Sequence, residues 1–325
     1  MAYFWAAALA LSLLLYVLLD GFDLGVGMLF ATAPGEQARR HMLDAISPVW
    51  DGNETWLIIA AATLFGAFPS VYSILLGAFY VPLVAMLAGL ILRGVAFEYR
   101  YKTKRLRWVW DTGFVVGSFV ASFTQGMTVG ALAQELPVQN GRYIGTLFSW
   151  LSPISVLCGF GLCLGYMMLG AGWLVHKTAG DTRDHGYRAL PPLLAGVLLF
   201  LVAAFITTLA LDLRVMRRWL ERPELFVFLL AGAAACVGMV RGIRRRRDPL
   251  PFWMGVVIFL AAFGALAVSF LPYMVPFSLT ITEAAAPRST LAFLFWGAGI
   301  FVLPVTLAYT VVVYTIFKGK VVPSS

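Results

Sequence analysis

Charge is scarce in this sequence. Only 12% of its 325 residues are Asp, Glu, Lys or Arg, while 61% are hydrophobic and the mean hydropathy is +0.85. A soluble domain carries about 25% charged residues, so this chain has too little polar surface to cover a water-facing fold. Histidine is scarcer still: His41, His176 and His185 are the three present, and all read as loop residues. Membrane haem proteins draw axial histidines from their helices, and copper or iron sites want them as well. On its own, therefore, the chain is not expected to ligate a haem or a redox metal. Cys158, Cys163 and Cys236 lie inside apolar runs in no metal-binding spacing, and they read as small packing residues. Linkers and low-complexity stretches are missing too, which leaves no extramembrane domain for a soluble active site.

Long apolar runs are what the sequence has instead. Nine can be counted, at about 3–30, 50–69, 72–97, 110–135, 147–175, 190–212, 224–240, 251–271 and 290–317. They describe an all-α polytopic membrane protein, a single transmembrane domain over residues 1–325. The start, Met1-Ala-Tyr-Phe-Trp, lacks the basic leader of a cleavable signal. With the N-terminus outside and the C-terminus cytoplasmic, inner loops hold seventeen Lys and Arg residues against six in outer loops. That is the bias expected of cytoplasmic loops. The basic stretch 214–222 runs against it. Merging the second and third runs into a re-entrant pair would move that stretch inside, but would put the more basic 241–250 outside. The net charge of +8 sits in short loops, so it does not point to nucleic acid. Arg244, Arg245, Arg246 and Arg247 read as a topology signal that also meets anionic lipid headgroups.

Chemistry is concentrated in a few buried acids. Asp20 and Asp23 stand three apart inside the first run, hence on one helix face. Asp51 and Glu54 repeat that spacing at the start of the second, between Trp50 and Trp56. Arg93 approaches the same level from the third, followed by Glu98. Four carboxylates and one arginine are thus expected at one depth, on the cytoplasmic side. Asp51 with Glu54 also fits a helix-capping box, which would leave Asp20 and Asp23 unexplained. Acids inside a span mark functional sites by default, and several in series suit a proton path. Trp50 and Trp56, near a span boundary, read as interfacial anchors.

Three motifs carry a family likeness: Asp20-Gly-Phe-Asp-Leu-Gly-Val-Gly-Met-Leu, Ser47-Pro-Val-Trp-Asp-Gly-Asn-Glu-Thr-Trp-Leu and Arg93-Gly-Val-Ala-Phe-Glu-Tyr-Arg. Together with Trp150-Leu-Ser-Pro, Gly165-Tyr-Met-Met-Leu-Gly-Ala-Gly-Trp, Pro272-Tyr-Met-Val-Pro, Glu283-Ala-Ala-Ala-Pro and Leu303-Pro-Val-Thr-Leu-Ala-Tyr-Thr, they closely resemble subunit II of the cytochrome bd-type quinol oxidases. Glu54, where other members carry glutamine, and the short length resemble the compact, cyanide-insensitive branch. The resemblance implies nine helices, as two four-helix bundles plus a peripheral helix, in the bacterial cytoplasmic (inner) membrane. It implies an enzyme that oxidises a membrane quinol and reduces O2 to water. The b and d haems and the quinol site would belong to a partner, subunit I, with a small single-helix accessory subunit and membrane lipid around the pair. It implies a role in cytoplasmic proton delivery for Asp51, with Glu54, Asp20 and Asp23 extending the path and Arg93 as charge partner. Trp56, with Trp50 beside it, would lie on an O2 route or at the subunit interface. Some members also hold a structural quinone in this subunit, with no residue here matched to it.

Two rival readings stand beside this one. A secondary transporter also uses intramembrane acids and broken helices, but it calls for inverted repeats and a midplane site. A purely structural assembly subunit differs only in whether the acids carry protons.

Overall fold

A computed structural model of the chain describes residues 1–103, 105–211 and 219–321. The first apolar run becomes α1 (Ala2–Leu29), which ends in a short 3-10 turn. The short surface helix α2 (Glu36–Ile46) leads into α3 (Trp50–Ala67). There the chain breaks. Phe68 precedes Pro69, and a residue before proline is driven out of the helical region; Phe68 sits at φ −137° and ψ 60°. Proline then opens α4 (Pro69–Ala78) at the position where its missing N–H costs nothing. The α3–α4 pair is bent by 119°. A second break at Phe79 starts α5 (Tyr80–Lys102), so the third span begins at residue 80 rather than 72.

Long helices follow: α6 (Arg107–Ala133), α7 (Pro153–Lys177), α8 (Gly180–Ala210), α9 (Phe226–Arg244) and α10 (Pro249–Phe270). The four-residue α11 (Ile281–Ala284) and α12 (Arg288–Leu294) lead through a π turn at Phe295–Gly299 into α13 (Ile300–Ile316). Among the described residues, eight helices are long and apolar enough to cross a membrane, and the bent α3–α4 pair makes nine. The sixth begins ten residues earlier than its apolar run, because a helix can continue through charged residues once its core is set. His185 therefore lies in α8, and His176 in the last turn of α7, rather than in loops. Most of the basic stretch 214–222 lies outside the described residues.

Two groups of four organise the packing, α1, α3, α5 and α6 in one and α7, α8, α9 and α10 in the other. α13 lies outside both and buries none of its own residues. The groups meet along α7, which packs on α6 at Gly126 and Gly130 and on α1 at Gly25 and Gly170. A Cβ at Gly25 would stand 1.8 Å from the Tyr166 carbonyl oxygen, and one at Gly170 2.5 Å from the Val26 nitrogen. The two backbones touch there because neither residue has a side chain. Short hairpins, β1 (Val138–Gln139) with β2 (Arg142–Tyr143) and β3 (Tyr273–Val275) with β4 (Leu279–Thr280), close the membrane face opposite the α1–α2 turn.

On the α1–α2 side, the segment after α13 is fastened down. The Lys177 ammonium donates to the Phe317 carbonyl and, at 3.1 Å, to that of Gly319; Lys320 donates to the Thr178 carbonyl at 3.0 Å and to Asp248 at 2.6 Å. Partial burial alone would raise the Asp248 carboxyl, but bonds from Lys320, Tyr187 and Arg183 outweigh it and hold its pKa below the usual value. A depressed carboxylate stabilises the fold above its unfolded pKa of about 3.9 and loses that contribution as pH falls through the folded value. At pH 7 the fastening is therefore expected to be complete. Acidification below about pH 4 should raise exchange at the Val321 amide, which donates to the Lys177 carbonyl at 2.8 Å. Exchange already fast at pH 7, or unchanged when Asp248→Asn removes the carboxylate, would refute the assignment.

Candidate functional site

Asp20 and Arg93 each stand nine residues from the end of their helices, Leu29 and Lys102. That places both about 13 Å inside the same face. α5 can bring Arg93 there because Gly89 and Gly117 let α5 and α6 meet backbone to backbone; a Cβ at Gly117 would lie 2.8 Å from the Arg93 nitrogen. The Arg93 guanidinium donates to Asp20 Oδ1 at 2.8 Å and, through its other arm, to Glu54. Three helices are thus joined by one cation. Arg93 is 2% exposed and Asp20 fully buried, whereas the Glu54 side chain keeps 26% exposure. The Trp50 ring lies 5.9 Å from the guanidinium, tilted against Phe97 at 5.1 Å, so it covers Arg93 on one side.

Asp23, also fully buried, takes a different partner. Asn53 Nδ2 donates to Asp23 Oδ2 at 2.7 Å, and the Tyr314 hydroxyl from α13 donates to Asn53 Oδ1 at 3.0 Å. Among the described residues, Asp20 Oδ2 and Asp23 Oδ1 are buried without a hydrogen bond inside 3.5 Å; the Tyr16 hydroxyl, one turn before Asp20, adjoins its carboxyl group. Tyr16 in turn accepts from Gln125 at 2.7 Å, and Tyr166 donates to the same amide at 3.0 Å. Polar groups therefore continue from the acids toward the middle of the bundle.

The structure brings together four of the five charged residues singled out in the sequence, Asp20, Asp23, Glu54 and Arg93. Asp51 does not join them. It is exposed in the first turn of α3, and Glu98 is exposed near the end of α5. The capping box expected at Asp51 and Glu54 does not form, because α3 starts two residues earlier than such a box requires: its N-cap is Val49, no side chain caps it, and Glu54 is taken by Arg93. A capping box does form at Thr280 and Glu283. Trp56 is no interfacial anchor. It is wholly buried, and its indole nitrogen has no partner among the described residues.

Asn53, Tyr314, Tyr16, Gln125 and Tyr166 are the members that sequence reasoning missed. Asn53 carried a signal, an amide between two acids at the mouth of an apolar run. Tyr314, in a helix with no charged residue, carried none. A second ionic cluster lies at the surface. Arg100 donates to Glu36 at 2.8 Å and to Asp111, Arg107 donates to Glu36 at 3.2 Å, and Arg39 to Asp111 at 3.2 Å. Burial alone would raise the Glu36 carboxyl, but Arg100 and then Arg107 hold it below its usual value.

Among the described residues, no three His, Cys, Asp or Glu side chains are grouped to hold a metal. The His185 ring nitrogen is 3.2 Å from the Thr32 hydroxyl, and the His176 ring is stacked with Phe252 at 6.0 Å. A cavity of about 380 Å³ between α1, α6 and α7 is lined by Met28, Val115, Phe119, Cys163 and other apolar groups. No histidine lines it.

Sequence and structure comparisons point one way. The pattern of the family described as cytochrome bd terminal oxidase subunit II matches residues 1–317. The probable cytochrome oxidase subunit 2 of Haemophilus influenzae is 29% identical, over 98% of this chain and 94% of that protein. The cytochrome bd-I ubiquinol oxidase subunit 2 of Escherichia coli K12 gives the same identity and coverage. The cytochrome bd ubiquinol oxidase subunit 2 of Bacillus subtilis is 28% identical, over 98% of this chain and 96% of that protein. The fold is shared with a chain of the bd oxidase from Geobacillus thermodenitrificans, at TM-score 0.76 and 17% identity, covering 97% of this chain and 98% of that one. With its apolar helices and these relatives, the protein is a multi-pass protein of the bacterial inner membrane, and the chain belongs to the cytochrome bd terminal oxidase subunit II family.

Proposed function

We propose that this chain is the haem-free second subunit of a quinol:O2 oxidoreductase, and that its buried acids deliver protons from the cytoplasmic face. The observation that carries the reading is one guanidinium shared by acids from separate helices. Arg93 bridges Asp20 and Glu54, with Asp23 one turn beyond on α1. One guanidinium neutralises one carboxylate. The other two need a proton, or a positive partner from outside the chain, because unpaired charge in a dry setting costs several kcal/mol. Reducing O2 to water consumes protons, and groups that must hold them at this depth suit their delivery. Exposed Asp51 would collect protons at the mouth of α3, Glu54 would receive them one turn on, and Arg93 would hold the acids in register. The loop charges support an N-outside, C-inside orientation, which places this mouth on the cytoplasmic side.

Haems, quinol oxidation and O2 reduction belong in this reading to subunit I, with a small accessory subunit completing the complex. O2 access is ascribed to the packing around buried Trp56. The apolar cavity between α1, α6 and α7 offers quinone carbonyls no strong hydrogen-bond donor, so no residue is assigned to a structural quinone.

Asp51→Asn is expected to cut quinol-dependent O2 consumption of the purified complex by about a hundredfold, the low end for a positioned proton donor. The d-haem absorbance band and the subunit ratio should be unchanged. Loss of the band together with activity would favour the second reading, an assembly subunit, which the three-helix bridge at Arg93 supports. Full activity would remove Asp51 from the path. A colourless chain without a partner would refute the oxidase role itself.

A further inference from the structure

The turn between α9 and α10 carries five arginines within seven residues, Arg241, Arg244, Arg245, Arg246 and Arg247. Arg246 is already engaged. It donates to Asp184 at 2.7 Å and lies 5.1 Å from the centre of the Tyr187 ring. The other acid at this corner, Asp248, is bonded by Arg183, Tyr187 and Lys320. Arg241, Arg244, Arg245 and Arg247 are exposed, and none pairs with a carboxylate among the described residues. The helix end adds little to this charge. Pro249 and Pro251 remove two N–H groups from the start of α10, and the Leu250 amide donates to the Arg247 carbonyl at 3.0 Å. Recognition at this turn therefore falls to the guanidinium groups.

Beside the turn stands an apolar wall. Val237, one turn before Arg241, is 57% exposed, and Trp253, one turn into α10, is 54% exposed. A tryptophan at the upper edge of an exposed apolar wall, next to unpaired arginines, is the arrangement common where acyl chains give way to headgroups. A topology signal alone needs only charge somewhere in the loop. The added wall and ring supply a place for the rest of a lipid.

We propose that this turn binds the phosphate of an anionic phospholipid. Arg244, Arg245 and Arg247 would present guanidinium forks to the phosphate oxygens, with the glycerol and upper acyl chain against Trp253 and Val237. The occupant is a membrane lipid rather than free phosphate, because the apolar wall continues directly below the cations.

The test is native mass spectrometry of the intact oxidase complex, extracted gently from phosphatidylcholine vesicles containing a minor fraction of phosphatidylglycerol. The wild-type complex is expected to retain phosphatidylglycerol selectively. Each arginine removed should weaken retention about fivefold, and Arg244→Gln, Arg245→Gln and Arg247→Gln together on the order of a hundredfold. The same three positions changed to Lys keep the charge but not the fork, so retention should fall between that of the wild type and that of the triple Gln variant, which separates binding from any fault in folding. Equal retention by wild type and the triple Gln variant would overturn the site. Displacement of the lipid by millimolar inorganic phosphate, with phosphate retained in its place, would overturn the choice of a lipid.

Discussion

Arg93→Gln is expected to cost about 3–5 kcal/mol, the usual result of removing one partner from a buried ion pair. Folded proteins hold only about 5–15 kcal/mol in total, so most of this variant should fail to accumulate. The cause is specific. Asp20 is fully buried, and it would lose the 2.8 Å bond that compensates its charge. Glu54, with a quarter of its side chain exposed, can turn to solvent or take a proton at less expense. The double variant Arg93→Gln, Asp20→Asn should therefore recover a large part of the loss, whereas Arg93→Gln, Glu54→Gln should recover less. Thermal unfolding of the purified complex across the double-mutant cycle measures both couplings. A single variant as stable as the wild type would show that the bridge holds nothing together.

Gly25→Ala should be comparably damaging through steric contact alone. Overpacked cores typically lose 1–3 kcal/mol because neighbours shift out of the way. Here the new methyl would meet the Tyr166 carbonyl oxygen at 1.8 Å and its carbon at 2.5 Å, and both are backbone atoms of a packed helix. α1 would have to leave α7, which opens one of the two seams between the helix groups and leaves only the α6–α7 seam. A loss of about 3 kcal/mol or more is expected, read as a fall in unfolding temperature and in recovery of the complex. Gly297→Ala is the control, since a Cβ there meets nothing within 4 Å. Equal effects at both positions would mean that the seam does not depend on close approach.

Much of this architecture is legible in composition and pattern. Long apolar runs locate the spans because a bilayer imposes a length on them. The three-residue spacing of Asp20 and Asp23, and the matching depth of Arg93, anticipate the meeting of α1 and α5, since helical rise converts sequence distance to depth. Direction around the helix axis was harder to read. Asp51 and Glu54 are three apart, yet one faces outward and the other Arg93, because helix neighbours share a face only to within tens of degrees. The α3–α4 break at Phe68 and Pro69 was legible as the end of the second run at residue 69, but the second break at Phe79 was not, because residues 72–97 are apolar on both sides of it. Tyr314 was invisible for another reason: only tertiary packing decides which of many apolar-helix tyrosines meets an amide.

The Tyr314 hydroxyl reaches Asn53 across 261 positions of the chain. Chains are synthesised and folded from the N-terminus onward, so α1, α3 and α5 enter the membrane while α13 is still unmade. Arg93 can meet Asp20 early in that sequence of events. Asn53 must wait, one end of its amide already given to Asp23 and the other open, until the final helix is inserted. The acid cluster is thus closed only when synthesis nears its end, by a helix that buries none of its own residues. A chain that ends short of Tyr314 would have its acids in place and the last partner of Asn53 missing.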